Sequence, residues 1–171
     1  MFIGRWAEDT GIKETTECLA KAANVAGVPV HLVLVGCGQL VHDLKALAGG
    51  SLNITRHPPT TEIGPFYAAA NYVIGTGYLG ILDAFRAGRP VIVPALSEIK
   101  RRYFESFPAI REHTFYFTSG EELLNFLTNL LVKPDILATK ERIRRASAFV
   151  RNLSWERVAG EHIAAYLHAM A

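Results

Sequence analysis

Cysteine is scarce: Cys18 and Cys37 are the only two in 171 residues, and they fall in different predicted elements without metal-ligand spacing. A disulfide scaffold and a cysteine-built metal site are both disfavoured, which leaves reduced structural thiols of a cytoplasmic protein. Charge of one sign is lacking too. Lys and Arg number 18 against 16 Asp and Glu, a formal net charge of +2, too little to call for a nucleic-acid partner. No apolar run approaches the roughly 18 residues needed to span a bilayer, and the N-terminus has no charged-then-apolar signal. Internal repeats, linkers and low-complexity stretches are absent as well. Nothing marks a domain boundary, so residues 1–171 are expected to form one domain.

What is present is an ordinary globular composition, half hydrophobic and a fifth charged. Apolar segments of strand length alternate with helical patterns. Strands are expected at 1–4, 31–36, 52–55, 72–74, 91–94 and 115–117. HLVLVG, from His31 to Gly36, is a continuous run of the kind buried on both faces of a parallel sheet. Helices are expected at about 11–26, capped by Asp9 or Thr10, at 38–48 and at 63–69, with another opening at the glycine-rich segment near 77. Further on, Ser119 and Glu122 have capping-box spacing, Pro134 suits a helix's first turn, and Ser154 suits the cap of a last helix. That last helix carries an apolar stripe of Trp155, Val158, Ala159, Ile163, Tyr166 and Met170, which reads as core. The order implies right-handed βαβ units: an α/β, doubly wound, mostly parallel sheet of about six strands with a helical C-terminus.

The stretch TGYLGILDAFRAGRP, Thr76 to Pro90, is the most informative in the chain. A glycine-rich loop feeding a helix start leaves unpaired N–H groups and the positive end of the dipole facing outward, a site for nucleotide phosphates. Thr76, Gly77, Tyr78, Leu79 and Gly80 supply those amides. Asp83, six residues after Gly77, is placed to meet a sugar hydroxyl beside the phosphates. The plainer reading is a βαβ crossover whose glycines only make tight turns. In doubly wound sheets ligands bind beyond the carboxyl ends of the strands. Arg5 ends the first strand, where its guanidinium grips a diphosphate or pairs with Glu8 or Asp9 as a surface ion pair. Gly36-Cys37-Gly38 permits close approach to a ligand, or is simply a structural turn.

Together these segments resemble a family. FIGRW, HLVLVGCG, FYAAANYVI, ILDAFRAGRPVIVP and NLSWERVAGEHIAAY are similar, in order and spacing, to motifs of the C-terminal half of retaining glycosyltransferases of family 4, which have the two-domain GT-B fold. The resemblance covers nearly the whole length. It implies a Rossmann-like nucleotide-sugar-binding domain, with a UDP- or GDP-sugar as donor substrate and no cofactor or metal. It implies that Arg5 binds the donor diphosphate, that residues 76–80 hold the distal phosphate, and that Asp83 grips the ribose. The catalytic residue is left unassigned. Because a GT-B active site lies between two domains, the chain is expected to need an N-terminal acceptor domain, in cis or in trans, and to catalyse little alone.

Departures from the motif are equally specific. Thr10 stands where the family has a lysine, with Lys13 one turn on as the candidate replacement. Gly75 stands where the family has a first glutamate, and the ribose acid is shortened to Asp83. These changes favour an alternative, a non-catalytic nucleotide-sugar-binding module. His57 follows a strand, near where a base or sugar would lie or simply in a solvated loop. IKRRYF, Ile99 to Phe104, mixes cations with aromatics; contact with an acceptor or a peripheral contact with the anionic inner face of a membrane competes there with a plain helix whose cations face water. KERIRR, Lys140 to Arg145, reads as a solvated helix face.

Overall fold

In the computed structural model, which describes residues 1–170, six strands form a single parallel sheet ordered β3-β2-β1-β4-β5-β6. The strands are β1 (Phe2–Ile3), β2 (Val30–Val35), β3 (Leu52–His57), β4 (Val73–Ile74), β5 (Val91–Pro94) and β6 (Phe115–Phe117). Every pairing is parallel, so each connection must cross over a face of the sheet. The helices are α1 (Ile12–Ala26), α2 (Val41–Ala46), α3 (Gly64–Ala69), α4 (Tyr78–Arg86), α5 (Glu98–Glu105), α6 (Pro108–His113), α7 (Gly120–Val132), α8 (Ile136–Arg151) and α9 (Trp155–Ala169).

Two apolar cores follow, one on each face. Phe2, Ile12, Leu32, Leu34, Leu44 and Leu123 join α1, α2 and α7 to one side. Ile81, Phe85, Val91, Phe104, Ile110 and Val150 join α4, α5, α6 and α8 to the other. This is the doubly wound arrangement expected from the alternating pattern, and the strand order reverses direction between β1 and β4.

Local details depart from the sequence reading in instructive ways. The N-cap of α1 is Gly11 in the left-handed region (φ 69°), after a 3-10 turn at Glu8–Thr10; Thr10 is buried and donates its hydroxyl to the Ala7 carbonyl at 2.6 Å. A long contact of 3.4 Å from the Ile12 N–H is all that Thr10 contributes to the cap, and Asp9 contributes nothing. Half of the expected capping box forms at α7. Ser119 Oγ accepts from the Glu122 N–H, whereas the Glu122 carboxylate reaches the Thr118 N–H instead of that of Ser119. Asp135, not Pro134, starts α8, its carboxylate accepting the Ala138 N–H. His31 is exposed, so β2 is not buried on both faces. Within the KERIRR segment Lys140, Glu141, Arg144 and Arg145 are exposed, as a solvated face requires, but Arg142 is half-buried, donating to the carbonyls of Glu112 and Thr114 over the Phe115 ring.

The largest departure is α9. Ser154 caps it as expected, yet none of its residues is buried. Trp155 is 72% exposed, Tyr166 67% and Met170 76%, so the stripe read as core lies open. A helical repeat specifies an apolar face; it does not specify what covers that face.

Candidate functional site

The site is built where the strand order switches, at the carboxyl ends of β1 and β4. The loop after β1 is set first. Its backbone is tied to the loop after β2 by Gly4 N–H to Val35 O (3.0 Å), Trp6 N–H to Cys37 O (2.9 Å) and Leu40 N–H to Trp6 O (3.2 Å). This crossing of chains explains Gly36 and Gly38. Gly36 has φ 140° and a Cβ there would lie 2.0 Å from the Gly4 carbonyl oxygen; at Gly38 it would lie 2.1 Å from that of Trp6. The fold therefore demands both glycines with no ligand invoked.

The glycine loop after β4 is different. Gly75 is demanded by packing, since a Cβ would meet Ile81 at 2.5 Å and Val91 at 2.8 Å, and a glutamate at this position has no room. Gly77 is extended (φ −146°), and a Cβ there meets nothing within 4 Å. At Gly80 a Cβ would make only an ordinary contact with the Tyr67 hydroxyl, at 3.7 Å. Neither backbone conformation nor space requires glycine at 77 or 80. Glycine inside the first turn of α4 costs roughly 1 kcal/mol against alanine. Its presence fits close approach of something outside the chain to the backbone.

The amides of this turn are available. Gly77 caps α4 through its carbonyl, which accepts the Ile81 N–H at 3.2 Å. Among the described residues the N–H groups of Gly77, Leu79 and Gly80 have no hydrogen-bond partner. The Tyr78 N–H does, donating to the Tyr103 hydroxyl at 3.1 Å. Tyr78 also stacks on Phe107, ring centroids 4.4 Å apart, so α5 and α6 pin the start of α4 from one side.

Tyr67 pins it from the other, its hydroxyl donating to the Gly80 carbonyl at 3.1 Å. Burial, and secondarily the charge of Asp83, push the Tyr67 phenol up to about 12, so it stays a neutral donor. Asp83 thus lies beside Tyr67 one turn beyond Gly80, half-buried on α4. His57 ends β3 with its ring edge against Phe66 of α3, centroids 4.9 Å apart.

Four side chains bear on the cation at this site, three of them candidates or departures of the sequence reading. Arg5 is exposed at the end of β1 and paired with Asp9 at 2.6 Å. Lys13 is turned to Asp43 of α2, 3.1 Å away, and that carboxylate raises its pKa. Thr10 is a buried structural hydroxyl. The fourth, Lys100, is absent from the sequence-based set: its Nζ donates to the Thr76 carbonyl at 2.7 Å from the first turns of α5. Burial pulls the Lys100 pKa below its ordinary value; Asp9 opposes that shift and Arg5 adds to it, which sets Lys100 near both. The signal that locates it is positional. Lys100 is the first cation after β5, and loops after neighbouring strands of a doubly wound sheet converge.

Of the IKRRYF segment, Lys100 and Tyr103 face the glycine loop and Arg101 donates to the carbonyls of Leu96 and Thr118. Arg102 and Ile99 remain outward, Arg102 paired with Glu98. Two cavities lie away from these loops: a groove of about 870 Å³ along β6, and an apolar cavity of about 950 Å³ towards the amino ends of β1, β2 and β4.

The chain superposes on solved structures of glycosyltransferases. Staphylococcus aureus TarM, a mutant in complex with Fondaparinux, alpha-GlcNAc-glycerol and UDP, matches with a TM-score of 0.71 and 14% identity over 95% of this chain and 34% of that one. The pneumococcal O-GlcNAc transferase GtfA, in complex with UDP and GlcNAc, matches with a TM-score of 0.65 and 13% identity over 94% of this chain and 35% of that one. The C-terminal domain of a Francisella tularensis glycosyl transferase group 1 family protein, LpcC, matches with a TM-score of 0.65 and 16% identity over 88% and 83%. The chain has the fold of a GT-B glycosyltransferase half. It spans about a third of the length of the first two structures. No protein-family model and no curated protein matches it.

Proposed function

We propose that this chain is the donor-binding, C-terminal half of a retaining glycosyltransferase, taking a UDP- or GDP-sugar as donor. The observation that carries the reading is that Gly77 and Gly80 are glycines the fold does not require, in a turn where the N–H groups of Gly77, Leu79 and Gly80 have no partner among the described residues. A diphosphate laid on those amides meets Arg5 from β1, and the ribose attached to it meets Asp83 one helical turn further on. In transfer, the departing diphosphate gains charge as the sugar becomes cationic. Arg5 and the loop amides supply the electrostatic stabilisation, the amides from fixed positions.

The second half of the active site comes from an N-terminal acceptor domain, in cis or in trans. The uncovered apolar face of α9, which another domain would bury, supports that part. The match to a C-terminal domain of a glycosyl transferase group 1 protein points the same way. No helix of the described residues is long and apolar enough to cross a membrane. The reading assigns the chain to the cytoplasm, with contact to the inner face of a membrane falling to exposed Ile99 and Arg102.

Calorimetric titration with UDP, GDP and their sugars tests the proposal, and weak binding by at least one of them is expected. No heat from any of them at millimolar concentration would refute it. A non-catalytic module is favoured by one pair of observations: Thr10 is a buried structural residue, and Gly75 has no room for a glutamate. Turnover by the chain together with its acceptor domain would eliminate that reading; tight donor binding without turnover would establish it.

A further inference from the structure

Lys100 is out of place for a surface lysine. Ser97 caps α5, its Oγ accepting the Lys100 N–H at 3.3 Å, and this fixes the direction in which the lysine leaves the helix. The side chain runs over the Tyr103 ring, Nζ 5.6 Å from its centroid, and ends half-buried with one donor on the Thr76 carbonyl. An ammonium has three donors. Among the described residues no carboxylate lies within ion-pair distance of this one; the acid whose charge acts on it, Asp9, is occupied by Arg5 at 2.6 Å. A half-buried cation without a counter-ion is costly. Here the cost is compounded by a second cation, Arg5, whose field also reaches Lys100. Two positive groups from different strand ends thus feel each other and one exposed carboxylate, and one of them is held on the turn that carries the unpaired N–H groups of Gly77, Leu79 and Gly80. The missing partner is an anion.

We propose that Lys100 is the second diphosphate ligand of this site, contributed by the loop after β5 and opposing Arg5 across the glycine turn. The assignment rests on the reading of that turn as the donor-diphosphate site. On this assignment Lys100 supplies the fixed cation that neither Thr10 nor Lys13 provides. It also ties Thr76 in place by the same contact, so its position and the shape of the loop are set together. Arg101 and Arg102, on the same helix, have carbonyl and carboxylate partners of their own and are not part of the site.

The test is calorimetric titration of UDP, GDP and the parent nucleosides into the wild-type chain and into Lys100→Gln, Lys100→Arg and Lys140→Gln. Glutamine keeps a donor for the Thr76 carbonyl but no charge, and thermal unfolding confirms that each variant is folded. Lys140 is an exposed lysine of α8 and controls for net charge. Lys100→Gln is expected to weaken the diphosphate about tenfold or more, with the nucleoside unchanged. Lys100→Arg should recover part of the loss, Lys140→Gln should have little effect, and the Lys100→Gln difference should shrink as salt is raised. Wild-type binding with an unaffected Lys100→Gln, an equal loss for nucleoside, or an equal loss in Lys140→Gln overturns the assignment and leaves the donor site standing. If wild type binds neither UDP nor GDP, the donor-site reading fails and the assignment fails with it.

Discussion

The pairing of Arg5 with Asp9 makes opposite predictions for the two residues. The contact is 2.6 Å long, but both side chains are more than half exposed, 68% and 56%. An exposed pair of this kind contributes only about 0.2–1 kcal/mol. A charge-assisted contact to phosphate contributes about 1.5–3 kcal/mol. When a diphosphate arrives, Arg5 exchanges the carboxylate for the phosphate and the net gain is the difference, about 0.5–2.8 kcal/mol. Arg5→Ala should therefore raise the Kd for a nucleoside diphosphate by roughly 2- to 100-fold and leave the bare nucleoside unchanged. Asp9→Asn removes the competitor and an anion near the ligand, so it should lower the Kd, by about fivefold at most if only the ion pair counts. The two effects share one guanidinium, so in the double variant the Asp9→Asn gain should largely disappear. Titration calorimetry with UDP and GDP against their nucleosides measures all of these, and thermal unfolding checks that the variants fold. Equal losses for nucleoside and diphosphate on Arg5→Ala, or weaker diphosphate binding on Asp9→Asn, would refute the exchange.

Asp83→Ala should weaken nucleoside and diphosphate by the same factor, because the ribose is common to both; a loss confined to the diphosphate in calorimetry would remove Asp83 from the sugar. Gly80→Ala should leave the fold intact or stabilise it by about 0.5–1 kcal/mol in urea unfolding while weakening the diphosphate; unchanged diphosphate affinity would return the loop to a plain turn. Gly36→Ala, with its Cβ driven to 2.0 Å from the Gly4 carbonyl at φ 140°, should cost about 3 kcal/mol or more and lower Tm by roughly 10 °C. Tyr67 has its folded pKa raised from 10 to about 12, so its contribution is full below pH 10 and is lost as pH rises from 10 to 12. Over that window wild type should lose about 2–3 kcal/mol relative to Tyr67→Phe in urea titrations, and parallel curves would show the phenol to be unperturbed.

Much of the architecture is carried by local pattern. Val91–Pro94 and Phe115–Phe117 are strands with the bounds their apolar runs imply, and the alternation of such runs with helical repeats requires crossovers and hence a parallel sheet. Arg5 at a strand end and the Thr76–Gly80 turn at a helix start were legible for the same reason: strand ends and helix starts are marked by neighbouring residues. Interactions between distant segments are not marked in this way. Which glycines serve the fold depends on what crosses them; Gly36 meets Gly4 of another loop, whereas Gly77 meets nothing. Lys100 reaches Thr76, and Tyr103 reaches Tyr78, across 24 and 25 residues, because β4 and β5 are neighbours and their following loops converge. The apolar stripe of α9 shows the same limit from the other side. Periodicity determined that the helix has a face, and only the tertiary structure decided that this chain leaves it uncovered, since burial depends on a partner surface that no local repeat encodes.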